Sequence, residues 1–236
     1  MGKIVLTFDL DNTIFNATPL YKEAWEENLR TTYHQDNITF NYTSSVNDND
    51  FKLPTHWDYR KDWPEEPSNK LDKLLTSKRL TQTEIIDTRL ISAIKGLFNH
   101  PLFEVYFLTD RAIDLYDDTI NQIWKYFPYM TIDRIVNSYV KKYLVIDEIS
   151  KRKDVSNIIH FDDRPLTFIE CVNNKLPCVL ISNENTPYNH DLSNWIDCHN
   201  IKFTYKSLYD ALKHLNDIIT NTSTLWSIDT SLFECD

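Results

Sequence analysis

The sequence predicts an α/β fold: a parallel Rossmann-like sheet with helices on both faces and an insertion after the first strand. Three observations carry this. The short apolar runs KIVLTF, FEVYFLT, NIIHF and PCVLIS are separated, beyond residue 85, by segments of helical periodicity. Several of these runs end in acidic or hydroxyl residues, as strands do when they deliver side chains to a site at their carboxyl ends. Residues 34–68, between the first run and the rest, are polar and aromatic and show only weak periodicity.

Taken in order, KIVLTF is the first strand. A helical pattern starts at Pro19, with Leu20, Ala24 and Leu29 on one face and Tyr21 and Trp25 beside it. Residues 34–68 read as a loop-dominated insertion with room for short strands. Helical patterning resumes over 68–98, interrupted near Leu80, where Thr81 and Glu84 have the spacing of a capping box. FEVYFLT is the second strand. In the next helix Ile113, Tyr116, Ile120, Ile123, Trp124 and Phe127 form one face. TIDRIVN is a short strand, YVKKYLVIDEISK a helix and NIIHF a strand. PLTFIECVNN begins a helix with proline in its first turn, PCVLIS is a strand, and SLYDALKHLNDII is a closing helix capped by Ser207. The expected organisation is an α/β core over 1–18 and 85–220, a cap-like insertion over 19–84, and a tail over 221–236.

The 236 residues suffice for one sizeable core, or one core with an insertion. A net charge of −10 argues against stable, broad binding to nucleic acid, which usually needs a basic footprint. The clusters YRKDW and SKRKD read as solvated faces. No apolar run approaches the roughly 20 residues of a membrane span. The Met-Gly-Lys start shows no cleavage site, so no signal peptide and no membrane partner are expected. Cys171, Cys178, Cys198 and Cys235 are scattered without a Cys-x-x-Cys pair, which fits a reducing compartment; an intracellular, cytoplasmic location is expected. The four Asn-x-Ser/Thr sites then read as chance. With only two glycines, Gly2 and Gly96, glycine-rich phosphate loops are excluded.

The first strand ends in Asp9-Leu10-Asp11. Residues i and i+2 of an extended segment face the same way, so both carboxylates can converge on one ligand. They repel unless a cation lies between them, and oxygen ligands of this kind suit Mg²⁺. Asn12 follows where a left-handed turn is plausible. FEVYFLT brings Thr109 to its end, with Asp110 and Arg111 next; NIIHF leads into Asp162, Asp163 and Arg164; Lys141 and Lys142 start the helix between them.

In this order the residues resemble the four motifs of the haloacid dehalogenase (HAD) superfamily of phosphohydrolases: DLDNT, Thr109, Lys141 or Lys142, and FDDRP. The resemblance covers about residues 1–18 and 85–185. IFNATPLYKEAW, HWDYRKDW, VYFLTDR and HFDDRP further resemble the HAD group of Swiss-army-knife RNA-repair domains, with Asp110 where that group has glycine. The resemblance implies that Asp9 is the nucleophile, forming an aspartyl-phosphate, and that Asp11 is the general acid and base. Thr109 and the motif-three lysine, with Lys142 slightly favoured by its spacing from Ser138, hold the phosphoryl group. Mg²⁺ is then held by Asp9, the Asp11 main chain, and Asp162 or Asp163. Asp110, Arg111, Lys141 and Arg164 are candidate substrate-binding residues, with an ion pair the equal alternative for Arg164. The segment from Thr109 to Asp162 leaves no room for a second cap. The aromatics of 42–63, including Trp57 and Trp63, form either a lid or a local core. The implied function is a phosphomonoesterase for a phosphorylated substrate, with nucleotides or nucleic-acid ends favoured. Alternatives are a small-metabolite or phosphoprotein phosphatase and a non-catalytic HAD-fold binding protein.

Overall fold

The computed structural model describes residues 2–31, 53–54, 59–63, 65–138, 141–182 and 204–225. Its strands are β1 (Lys3–Asp9), β2 (Phe103–Thr109), β3 (Ile135–Asn137), β4 (Val155–Asp162), β5 (Cys178–Ile181) and β6 (Thr204–Tyr205). They form one sheet in the order β3-β2-β1-β4-β5-β6, parallel throughout. The chain builds outward from β1 through β2 to β3, then crosses back to lay β4 on the other side of β1. That reversal makes the β1/β4 crevice the place where a parallel sheet presents a ligand site.

The helices are α1 (Thr18–Thr31), α2 (Glu65–Leu75), α3 (Arg89–Asn99), α4 (Tyr116–Tyr126), α5 (Lys142–Ser150), α6 (Pro165–Asn173), α7 (Leu208–Lys213) and α8 (Leu215–Leu225). Strand alternation sorts the core into two layers. Leu6, Phe8, Val105, Phe107, Ile159 and Phe161 pack against α3, α4, α7 and α8. Val5, Tyr106, Leu108 and Ile158 face the other way, against Ile146 of α5 and Phe168, Cys171 and Val172 of α6. The central strands are covered on both faces, so they read as continuous apolar runs rather than alternating ones. A third cluster lies outside the sheet, where Leu20, Tyr21 and Ala24 of α1 meet Leu71 and Leu74 of α2, with Trp63 and Leu80.

Several expectations change. α2 begins at Glu65, inside the stretch read as loop. Thr81 caps nothing as a box: it sits in a 3₁₀ turn and donates to Lys78 O, while Glu84 binds Lys125. Ile113 and Trp124 leave the predicted face, at 49% and 38% exposure: Ile113 lies in a 3₁₀ turn (Ile113–Leu115) ahead of α4, and Trp124 stands about 100° round the helix from the buried Ile123. The closing helix is two: Ser207 caps α7 by accepting from Asp210 N, and the chain turns at His214 so that Leu208, Ala211, Leu215 and Ile218 all reach the core. α8 continues to Leu225, within the stretch read as tail. Trp63, 6% exposed, packs on Tyr21, Trp25 and Tyr59 as part of a local core. Trp57 lies outside the described residues, as do Cys198 and Cys235 and most of 34–64. Cys171 and Cys178 are buried free thiols.

Candidate active site

β2, β1 and β4 are neighbours, with Asp9 opposite Leu108 and Phe8 opposite Phe161, so Asp9, Thr109 and Asp162 end at one level of the sheet. Beyond β1 the chain reverses tightly: Ile14 N and Phe15 N both donate to Leu10 O, and Asn12 N donates to Phe15 O. Asn12 takes φ 58°, the left-handed conformation its short amide tolerates, and its Oδ1 accepts from Ala17 N. This turn fixes Asp9 and Asp11 on either side of Leu10, which is anchored in the core.

Asp9, Asp162 and Asp163 are buried, and each offers an oxygen within 4.8 Å of the others. Lys142 is 5% exposed; its Nζ donates to Asp9 and, at 2.9 Å, to Asp162 Oδ2. Lys142 and Ile146 lie one helical turn apart, so the apolar contact of Ile146 with the sheet aims Lys142 at the strand ends. The neighbouring Lys141 necessarily points elsewhere: it is exposed, pairs with Glu170, and does not line the cavity.

Burial pushes the Asp9 carboxyl up to about 8, opposed by Lys142 and reinforced by the charges of Asp162 and Asp11. Burial likewise raises Asp163, together with the charges of Asp9 and Asp162. Burial works against Asp162 too, yet the Lys142 charge and the His160 hydrogen bond hold it well below the usual carboxylate range. Three buried carboxylates thus share one ammonium, and two of them resist ionisation. A further cation would relieve this, and the all-oxygen donor set fits Mg²⁺.

Asp11 turns away from that group. Arg111, buried, grips it in a two-pronged ion pair, Nε to Oδ2 at 3.0 Å and Nη2 to Oδ1 at 2.7 Å. Its remaining prong donates to Thr119 Oγ1 and Gln122 Oε1 on α4. These bonds use four of the five guanidinium N–H groups of Arg111, which also lines the cavity. Thr109 is buried, and its Oγ1 accepts from Arg111 N at 3.3 Å. Asp110 and Arg164 approach each other at 3.4 Å and both line the cavity, with burial the main influence raising Asp110. The cavity, about 410 Å³, is bounded on the sheet side by Asp9, Asp11, Asp162, Asp163 and Lys142. Tyr21, Tyr59, Arg60, Asp72, Thr76 and Leu80 face them from the α1–α2 side.

Sequence reasoning missed His160. It is fully buried, with Nε2 3.0 Å from Asp162 Oδ2 and Nδ1 2.9 Å from Thr7 Oγ1. The signal was present: His160 and Asp162 are i and i+2 on one strand, so they share a face. Its partner Thr7 required the β1–β4 register, which pairs Thr7 with His160. Gln122 and Thr119 looked like ordinary helix residues, and Tyr59 and Asp72 gain meaning only from the cavity.

No protein-family model and no curated protein matches this sequence. Solved structures resemble it in shape. A hydrolase from Pseudomonas syringae superposes with a TM-score of 0.54 at 18% identity, over 92% of this chain and 99% of that one. A haloacid dehalogenase-like family hydrolase from Xanthomonas campestris gives 0.54 at 12% identity, over 94% and 99%. A protein described as a predicted phosphatase from Clostridium acetobutylicum gives 0.51 at 18% identity, over 92% and 99%. With its parallel sheet and its acidic crevice at the strand ends, the chain has the fold of the haloacid dehalogenase-like hydrolases.

Proposed function

We propose that the protein is a Mg²⁺-dependent phosphomonoesterase that works through an aspartyl-phosphate on Asp9. The observation that carries this is the buried group of Asp9, Asp162, Asp163 and Lys142 facing one cavity. A scaffold gains nothing from crowding repelling carboxylates in its interior, whereas a phosphoryl-transfer site needs a nucleophile with fixed charges around it.

Asp9 attacks phosphorus, forming the Asp9 O–P bond as the bond to the leaving oxygen breaks. Asp11 gives that oxygen a proton, then takes one from the water that attacks the aspartyl-phosphate and restores Asp9. Between the two steps Asp11 is a carboxylate that Arg111 holds in place; as the acid of the first step it carries its proton on an oxygen that one guanidinium prong has released. Lys142 stays charged, since Asp162, Asp9 and Asp110 outweigh its burial. Its ammonium keeps Asp9 oriented and faces the transferring oxygens. Thr109 accepts from the Arg111 amide, a use of its lone pair that leaves the hydroxyl proton for a phosphoryl oxygen. Asp9, Asp163 and Asp162 would hold Mg²⁺, with the Asp11 main chain; the ion supplies positive charge that offsets these acids and a phosphate dianion.

The favoured substrates are nucleotides or phosphorylated nucleic-acid ends, the second being the substrate the RNA-repair resemblance points to. A cavity of about 410 Å³ lies within the range of small-molecule sites, which supports a nucleotide or small metabolite first. The test is a Mg²⁺-supplemented screen of nucleotides, sugar phosphates, phosphopeptides and 3′- or 5′-phosphorylated oligonucleotides, run beside Asp9→Asn. Hydrolysis that the variant loses is expected. Inertness toward every substrate, or variant activity within tenfold of the unmodified protein, overturns the proposal.

A further inference from the structure

Beyond its phosphoryl end the cavity continues beneath α1 and α2, where the wall carries polar groups that the hydrolysis does not use. We propose that Asp72, Arg60 and Tyr59 form a leaving-group subsite for a vicinal pair of hydroxyls on a small neutral polyol, either a ribose or a free sugar ring. The inference rests on the phosphomonoesterase reading of the same cavity.

These three side chains hold one another. Tyr59 OH donates to Asp72 Oδ1, Arg60 Nη2 donates to Asp72 Oδ2, and the Arg60 guanidinium lies 5.4 Å from the centre of the Tyr59 ring. Mutual fixing does not exhaust them. Each carboxylate oxygen has a second acceptor position, and a guanidinium carries five N–H donors. An acceptor and a donor therefore stand side by side at the wall. A diol matches that pair: one hydroxyl donates to Asp72 while its neighbour accepts from Arg60. Charge selects the same ligand. An anionic leaving group meets Asp72, a cationic one meets Arg60, and the two charges cancel for a neutral one. Thr76 spends its proton on Asp72 O at 2.8 Å and keeps acceptor capacity, while Leu75 and Leu80 give the carbon skeleton an apolar surface. The volume suits one nucleoside or sugar.

Steady-state kinetics test this with five substrates: a ribonucleoside 5′-monophosphate, its 2′-deoxy analogue, a hexose 6-phosphate, a hexose bisphosphate and p-nitrophenyl phosphate. A site built to hydrogen-bond hydroxyls discriminates strongly against analogues that lack them. Removing the 2′-hydroxyl is expected to lower kcat/KM at least tenfold, chiefly through KM. Asp72→Asn should cut the ratio of diol to aryl-phosphate turnover about tenfold and shift preference toward the bisphosphate, because Arg60 then faces the cavity unopposed. Tyr59→Phe, which keeps the ring, should move the ratio the same way by less. The nucleotide and hexose arms separate the two sources of the diol. Equal turnover of ribo and deoxy substrates, or an unchanged ratio in Asp72→Asn, overturns the subsite while leaving the phosphatase standing. Failure to hydrolyse even p-nitrophenyl phosphate overturns both.

Discussion

Lys142 places a single ammonium against Asp9 and Asp162 in a site where Asp163 is also buried. Removing one partner of a buried ion pair leaves uncompensated charge and typically costs about 3–5 kcal/mol, more than the pair itself contributes against an apolar replacement. Lys142→Met is therefore expected to lower stability by about that much in chelator, and Mg²⁺ should recover part of the loss by supplying the missing positive charge. Urea unfolding with and without Mg²⁺ checks both; a variant as stable as the parent in EDTA would contradict the assigned pairing. Glu104 makes the complementary case. Burial alone would raise its carboxyl, but the two-pronged grip of Arg152, the Tyr106 hydroxyl and the Arg134 charge hold it below its usual 4.5. Between the folded and unfolded values the unfolded state binds more protons, so this contribution is complete above about 4.5 and is lost as pH falls through the lower folded value. Unfolding midpoints measured from pH 6 to pH 3 should fall more steeply for the parent than for Glu104→Gln.

At the scale of elements, the α1–α2 layer with Trp63 is a small core of its own, and it also walls the cavity. Trp63 is buried among Tyr21, Trp25 and Tyr59, so its contribution is packing. Trp63→Ala is expected to cost about 3–5 kcal/mol and to depress turnover of large and small phosphomonoesters alike. A selective loss on large substrates at unchanged melting temperature would instead make Trp63 a substrate contact. A second link joins this layer to the site: Asp11 is held by Arg111, Arg111 by Gln122, and Gln122 Nε2 donates to Thr83 O at 2.6 Å. The residues on either side of Asp11 thus come from β1, the end of β2, α4 and the turn after α2. The strand ends and the proline-led α6 were readable because short apolar runs ending in polar residues, and a proline in a first helical turn, are local signals. The Thr81 box failed because tertiary contacts gave Glu84 better partners in Lys125 and Tyr126.

At the scale of the whole molecule, the site lies where the chain reverses direction across the sheet, between β1 and β4, and a cation there would tie the two halves together. Mg²⁺ is expected to raise the melting temperature, by an increment that grows with the logarithm of its concentration and corresponds to about 2.7 kcal/mol at a hundredfold excess over Kd. Calorimetry across a Mg²⁺ series, with Asp163→Asn as the comparison, checks this; equal shifts in both proteins would remove Asp163 from the metal site. Among the described residues no helix is long and apolar enough to cross a membrane. The sequence by itself determined the parallel α/β architecture and the candidates at the strand ends, because strand periodicity and paired acids after apolar runs are local patterns. The spacing from Ser138 only leaned toward Lys142; the tertiary structure puts Lys142, and not Lys141, against Asp9 and Asp162, since that depends on which helical face Ile146 buries. It turned Arg111 onto Asp11, set His160 behind Asp162, and brought Asp72 and Tyr59 across from the nucleophile. Each of these depends on strand order and on contacts between residues distant in the chain, and local periodicity carries no record of either.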